Sequence, residues 1–198
     1  MQNKLTQSAA KLLLVVAVLA GCQSRDSSFK GTELPEREFK DFTLTDQNGQ
    51  RFTLGEQEGK VTLMFFGFTY CPDVCPLTLS TWKKVRESLT EDEAQKVEFV
   101  YITVDPERDT PEKLKAHLAV FHPDFIGLTG TQEELQPVYA GYGVYREKDQ
   151  ISDSATGYLV NHTASIYLLD RNGIWKLKHS NDARPEDIVH DIRLLLKY

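Results

Sequence analysis

The sequence predicts an α/β sandwich, and three features carry the prediction. Two continuous apolar runs, VTLMFFGF from Val61 and VEFVYITV from Val97, have the length and composition of strands buried on both faces. Each is followed by a stretch whose apolar residues recur at helical intervals. The last third of the chain turns back through two short alternating runs around RNG and closes on an amphipathic helix.

Taken in order, the elements are these. The chain has 198 residues, the size of one domain. Its opening, MQNKLTQSAAKLLLVVAVLAGC, places Lys4 and Lys11 before an apolar run from Leu12 to Ala20, too short to span a bilayer and fit for the core of a secretory signal. Leu19-Ala20-Gly21-Cys22 resembles the lipobox of bacterial lipoproteins. That resemblance implies removal of residues 1–21, lipid on Cys22, and a protein held on a membrane face in the bacterial envelope, outside the cytoplasm. Residues 22–35 are polar and weakly patterned, and are expected to form a flexible tether. The domain proper is expected over 36–198.

FTLTDQNGQRFTL alternates around Asn48-Gly49 and predicts a hairpin with a two-residue turn. After the first buried strand and a cysteine-bearing turn, PLTLSTWKKVRESL spaces Leu79, Trp82, Val85 and Leu89 for a helix opening at Pro76. The second buried strand leads to DTPEKLKAHLAVF, with Thr110 as N-cap and Pro111 at the first helical position. TQEELQPVYAGYG predicts a short helix ending at Gly141, and YGVYREK an edge strand. Glu147 to Asn161 reads as a long polar connection. ASIYLLD and IWKLKH pair across RNG, and RPEDIVHDIRLLLKY is the last helix. This order gives a thioredoxin-like sandwich with an added N-terminal β-hairpin.

Composition excludes little but is not silent. The net charge is −6, and falls to −8 when Lys4 and Lys11 leave with the signal. With no Lys/Arg cluster, that balance argues against nucleic acid as a partner. Of three cysteines, Cys22 is assigned to lipid, which leaves Cys71 and Cys75 together in an oxidising compartment. Two thiols one turn apart cannot staple distant parts of a fold, so the pair points to chemistry.

In FGFTYCPDVCP the two thiols have three intervening residues. Lying over a helix N-terminus they are favoured as thiolates, and thiolate serves equally as nucleophile and as metal ligand. Spacing of one turn suits two sulfurs closing on one ion. A disulfide across it is possible but geometrically marginal if the turn is helical. Among five histidines, His117 and His190 sit in helical patterns beside charged neighbours, His122 at a helix end, and His179 on an exposed-looking strand. His162 differs, standing where the polar connection meets a strand and can deliver a side chain to a site edge. Two thiolates and one imidazole form a soft set that lacks the four ligands of structural zinc or an iron–sulfur cluster. Three-coordinate Cu(I) fits it best. The acids Asp105, Glu107, Asp109 and Glu112 could suggest a hard-metal site, but the arginine and prolines among them argue for a rigid loop leading into a helix cap.

GFTYCPDVCP, VDPERDTPEKL, FHPDFIGLTG and NHTASIYLLD together resemble the SCO/SenC family of copper-binding, thioredoxin-fold assembly factors, from about Phe39 to the C-terminus. The resemblance implies that Cys71, Cys75 and His162 bind copper, as Cu(I) and in many members also Cu(II). It further implies delivery to a copper-accepting partner, the dinuclear copper centre of cytochrome c oxidase. The family commonly has Asp before the histidine; here it is Asn161, which bears on Cu(II) affinity more than on Cu(I). Asp73, between the cysteines, either faces a partner, as the family suggests, or is an acid favoured by the helix dipole. The expected protein is a metallochaperone more than a turnover enzyme. The alternatives are a thiol-disulfide oxidoreductase using the same pair, reducing partner cysteines or serving periplasmic redox and copper defence, and a peroxidase, since FTYCP resembles peroxiredoxin active sites.

Overall fold

The computed structural model describes residues 28–35, 41–150 and 157–197. The expected signal sequence and residues 22–27, which include Cys22 and the start of the tether, lie outside the described residues. In chain order, Thr32–Glu33 forms β1, and Thr43–Asp46 and Arg51–Thr53 form β2 and β3. A 3-10 turn, Leu54–Gln57, leads into β4 (Val61–Gly67), and the helix α1 spans Val74–Ser88. A one-turn helix α2 (Glu91–Ala94) precedes β5 (Val97–Thr103), α3 (Pro111–Ala119), β6 (Phe125–Thr129) and α4 (Gln132–Tyr142). Then come β7 (Arg146–Gln150), β8 (Tyr158–His162), β9 (Ser165–Leu169), β10 (Trp175–Ser180) and α5 (Pro185–Leu195).

The main sheet runs β1-β10-β9-β4-β5-β6-β2-β3. Its centre, β4-β5-β6, is parallel, and both flanks are antiparallel. Helices cover both faces, which is why the central strands are apolar without alternation. Phe65 and Phe66, consecutive and fully buried, face opposite ways. Phe65 meets Trp82 of α1 at 6.3 Å, and Trp82 reaches Phe125 at 5.6 Å. Phe66 meets Tyr142 of α4 at 5.5 Å and Tyr167 at 5.6 Å. Burying each such ring contributes roughly 1.5–3 kcal/mol. The thioredoxin-like α/β sandwich and the added hairpin β2–β3 are as the sequence predicts, with β2 paired to β6 at the sheet edge.

Several local expectations are corrected. The β2–β3 turn is longer than two residues: Gly49 N donates to Asp46 O and Asp46 N to Gln50 O, with Gly49 at φ 76°. Helix α1 opens at Val74, because a proline in the first turn costs no intrahelical bond and need not be the first residue. The strand β6, inside FHPDFIGLTG, and the capping-box helix α2 escaped the sequence reading. Helix α4 runs on to a left-handed cap at Gly143 (φ 62°) instead of stopping at Gly141.

Most of the described part of the polar connection is a two-stranded ribbon, in which β7 pairs with β8 apart from the main sheet. Residues read as flexible tether include β1, which pairs with β10, and Lys30 and Gly31, whose amides donate to Asp191. His179 is buried, not exposed: its ring lies against the Gly31 backbone, with Nε2 2.9 Å from Asp191 Oδ2. His117 and His190 are half-buried.

Candidate metal centre

The cysteine turn begins where β4 ends. Gly67 is the last residue of β4, and a side chain there would collide with the Tyr101 hydroxyl and come within 2.9 Å of Cys75 Sγ. Only glycine lets the strand pass this close to the sulfur. The next residues are pinned from the side by Asp109. This fully buried carboxylate accepts from Thr69 N at 3.1 Å, from Thr69 Oγ1 at 2.6 Å and from Thr103 Oγ1 at 2.7 Å. Cys71 N then donates to Phe68 O at 3.2 Å, closing the turn.

Cys71 is half-buried and Cys75 fully buried, and both are free thiols. Cys75 N, in the first turn of α1, donates to Cys71 Sγ at 3.5 Å, so the helix start faces a sulfur. The Cys71 thiol is held well below its ordinary value. Its largest cause is the hydrogen bond from the Cys75 side chain; burial opposes, and His162 and the Asp73 and Cys75 amides add to the lowering. Cys75 is pushed the other way, first by the proton it shares with Cys71, then by burial and the Cys71 charge. The two sulfurs are thus driven in opposite directions, which favours a single proton between them.

His162 arrives from the end of β8. Its Nε2 lies 3.9 Å from Cys75 Sγ, and Nδ1 is 3.0 Å from Thr163 O. A carbonyl there can only accept, so Nδ1 carries a proton, and Nε2 is the ring nitrogen turned toward the sulfurs. Phe65 and Phe68 flank the ring at 6.2 and 5.9 Å, leaving it little freedom to turn away. The three residues singled out from sequence thus meet at one edge of the sheet. Among the described residues no three ligand-type side chains are drawn tightly enough to hold an ion as they stand. Cys71, only partly buried, is the more accessible of the two sulfurs. The donor set itself, two sulfurs and one imidazole nitrogen, suits a soft ion.

The acidic run is not a metal site. Asp105, fully buried, pairs with Arg108 and accepts from Tyr158 Oη at 2.8 Å, while Thr110 caps α3. Arg108 stacks 3.7 Å from the Tyr158 ring and 4.9 Å from the Tyr70 ring, and donates to Tyr158 O at 3.1 Å. It thereby bolts the ribbon carrying His162 to the turn carrying Cys71. Sequence reasoning missed Arg108, Asp109, Tyr158 and Tyr101 as supports of the site. The i, i+3 pairing of Asp105 with Arg108 was the one visible signal; Thr69 and Thr103 offered none.

Asn161 is exposed, stands opposite Glu147 in the ribbon, and by strand alternation faces away from His162. Asp73 is exposed at the N-cap of α1 without a capping bond from its side chain. Tyr70 and Leu77 are exposed on the turn and helix that bear the cysteines, and Tyr145, whose N–H donates to Thr163 Oγ1 at 3.0 Å, is exposed beside the end of the ribbon that bears His162. A cavity of about 500 Å³ beside α5, lined in part by Ser88, His190 and Arg193, contains none of these donors.

Fold and site together define a thioredoxin-like protein with a paired-cysteine, single-histidine centre at one sheet edge. The SCO1/SenC family model matches residues 30–197, and the chain belongs to that family. It is 38% identical over 139 residues to an SCO2-like protein of Rickettsia conorii, covering 69% of this chain and 66% of the relative, a little under two thirds of its length. The structure of Bradyrhizobium japonicum ScoI with copper bound is 41% identical, with a TM-score of 0.72 over 78% of this chain and 97% of that one. BsSco, described with a disulfide switch and as a member of the Sco family of cytochrome c oxidase assembly proteins, is 25% identical. Its TM-score is 0.66, over 84% of this chain and 97% of that one. Among the described residues no helix is long and apolar enough to cross a membrane.

Proposed function

We propose that this chain binds Cu(I) through Cys71, Cys75 and His162 and passes it to an acceptor protein. The observation that carries the reading is the approach of His162 Nε2 to Cys75 Sγ at 3.9 Å, with Nδ1 engaged by a carbonyl. The copper bound to B. japonicum ScoI and the oxidase-assembly role attached to BsSco support copper as the cargo and cytochrome c oxidase as the destination. The charge of the Cys71 thiolate and the imidazole hold the ion, and the exposed side of the turn admits an acceptor's ligands one at a time. Asp73, Tyr70, Leu77 and Tyr145 form the rim on which that acceptor docks. Lipid on Cys22 keeps the domain at the membrane face in the bacterial envelope. The Asn161 amide, facing away from His162, leaves Cu(II) binding weaker than Cu(I) binding.

The test is competition with a Cu(I) chelator. The reduced protein takes up one Cu(I); His162→Ala binds it at least tenfold more weakly, and loss of either cysteine nearly abolishes binding. Unchanged affinity in His162→Ala would overturn the three-donor site.

A second reading is favoured by one observation, the half-exposed, low-pKa Cys71 beside a buried Cys75. Such a pair can reduce a partner disulfide. Cys71 thiolate attacks one partner sulfur and expels the other, then Cys75 attacks Cys71 and releases the second partner thiol. Two electrons pass to the partner and a Cys71–Cys75 disulfide remains. A reduction potential well above that of the partner disulfide removes this reading.

A further inference from the structure

Tyr101 is a fully buried tyrosine at the middle of β5, and its hydroxyl has no hydrogen-bond partner among the described residues. A buried phenol is normally satisfied, and an unsatisfied one is costly. A phenylalanine would fill the same space without that cost, so the hydroxyl calls for a partner.

Its surroundings name one. Tyr101 pairs in register with Phe65 on one side and Gly127 on the other, and its ring lies 6.0 Å from that of Phe65. Helix α3 covers the space over Gly127, where Leu118 and Leu114 would block any side chain. The His117 ring, 6.3 Å from the Tyr101 ring, has its own Nε2 buried and unpaired. On the remaining side the Tyr101 hydroxyl and Cys75 Sγ crowd the same small volume, the one left by the missing side chain of Gly67. An O–H beside a sulfur is a donor facing an acceptor.

We propose that Tyr101 is a positioning residue of the centre: its O–H donates to the Cys75 thiolate when that sulfur holds a soft metal ion. The proposal rests on the copper reading given above. Cys75 is fully buried, so water cannot solvate its charge, and a fixed donor behind the sulfur takes that place. The bond also orients the sulfur toward the side where His162 stands. Groups behind a metal ligand commonly affect affinity by 10–100-fold.

The experiment compares the wild type with Tyr101→Phe, each as reduced, metal-free protein and after titration with Cu(I) against a competing chelator. The wild type binds one Cu(I). The variant keeps that stoichiometry but binds about tenfold more weakly, while its metal-free form melts no lower than the wild type. Wild-type affinity in Tyr101→Phe overturns the proposal. So does weaker binding accompanied by a lower metal-free melting temperature, since that marks a packing role. A wild type that takes up no Cu(I) overturns the copper reading itself and is seen before the variant is compared.

Discussion

Asp109 shows how one residue can shape a site it never touches. Its carboxylate holds Thr69, two residues before Cys71, to Thr103 on the neighbouring strand. Burial pushes the Asp109 carboxyl up, and the threonine hydrogen bonds only partly offset it. A carboxyl raised in the native state favours folding when protonated. Its contribution is therefore full below the ordinary carboxyl range near about 4 and is lost as pH rises through the higher native value. Asp109→Asn carries no such titration and keeps an acceptor. Its stability relative to the wild type is expected to improve as pH rises from 3.5 to 7, read as the difference in urea midpoints. A difference that stays flat would show that burial of this charge is already compensated.

Among the elements, the β7–β8 ribbon matters most, because it carries His162 yet shares no strand pairing with the main sheet. It is fastened by side chains. Arg108 binds the Tyr158 carbonyl and stacks on its ring, and Arg146 Nε donates to Val104 O at 2.7 Å. Lysine in place of Arg108 keeps the charge beside Asp105 but loses the planar fork and the stack. Arg108→Lys is expected to cost about 1 kcal/mol of stability. It should also speed amide exchange from Tyr158 to His162, leaving β4 and β5 protected. Equal speeding in the central strands would mean that Arg108 serves the whole fold and not the ribbon. Cu(I) affinity should fall with the ribbon, since His162 is then held less closely to the sulfurs.

Across the whole molecule, the two ends of the described chain are tied together on the flank away from the centre. Asp191 of α5 accepts from Lys30 N at 2.8 Å and Gly31 N at 2.8 Å, and faces His179 on β10. This links the N-terminal segment from residue 28 to the last helix, strand β10 and, through α5, the helix α1 that bears Cys75. Removing this buried carboxylate takes away the acceptor of the Lys30 and Gly31 amides and the group facing His179. Asp191→Ala is expected to lose about 3 kcal/mol in urea unfolding and to expose residues 28–33 to protease. Loss of stability without new cleavage would separate the fold from the anchoring of its N-terminus.

The sequence by itself determined the layered α/β architecture, the paired thiols at a helix start, and the histidine that faces them. These are local or periodic facts: apolar runs, caps, turn residues and a motif whose spacing carries chemistry. It could not show that the polar stretch before His162 is a ribbon, because Arg146–Gln150 and Tyr158–His162 lack the apolar alternation of a strand on a core. Nor could it find β6, whose five residues read as part of a loop motif. Only the tertiary structure decided what stands behind the sulfurs. Tyr101 lies 26 residues beyond Cys75 and 34 beyond Gly67 along the chain; parallel pairing of β4 with β5 is what sets its hydroxyl beside Cys75. Burial and charge at the centre arise from such long-range pairing, and no local pattern encodes them.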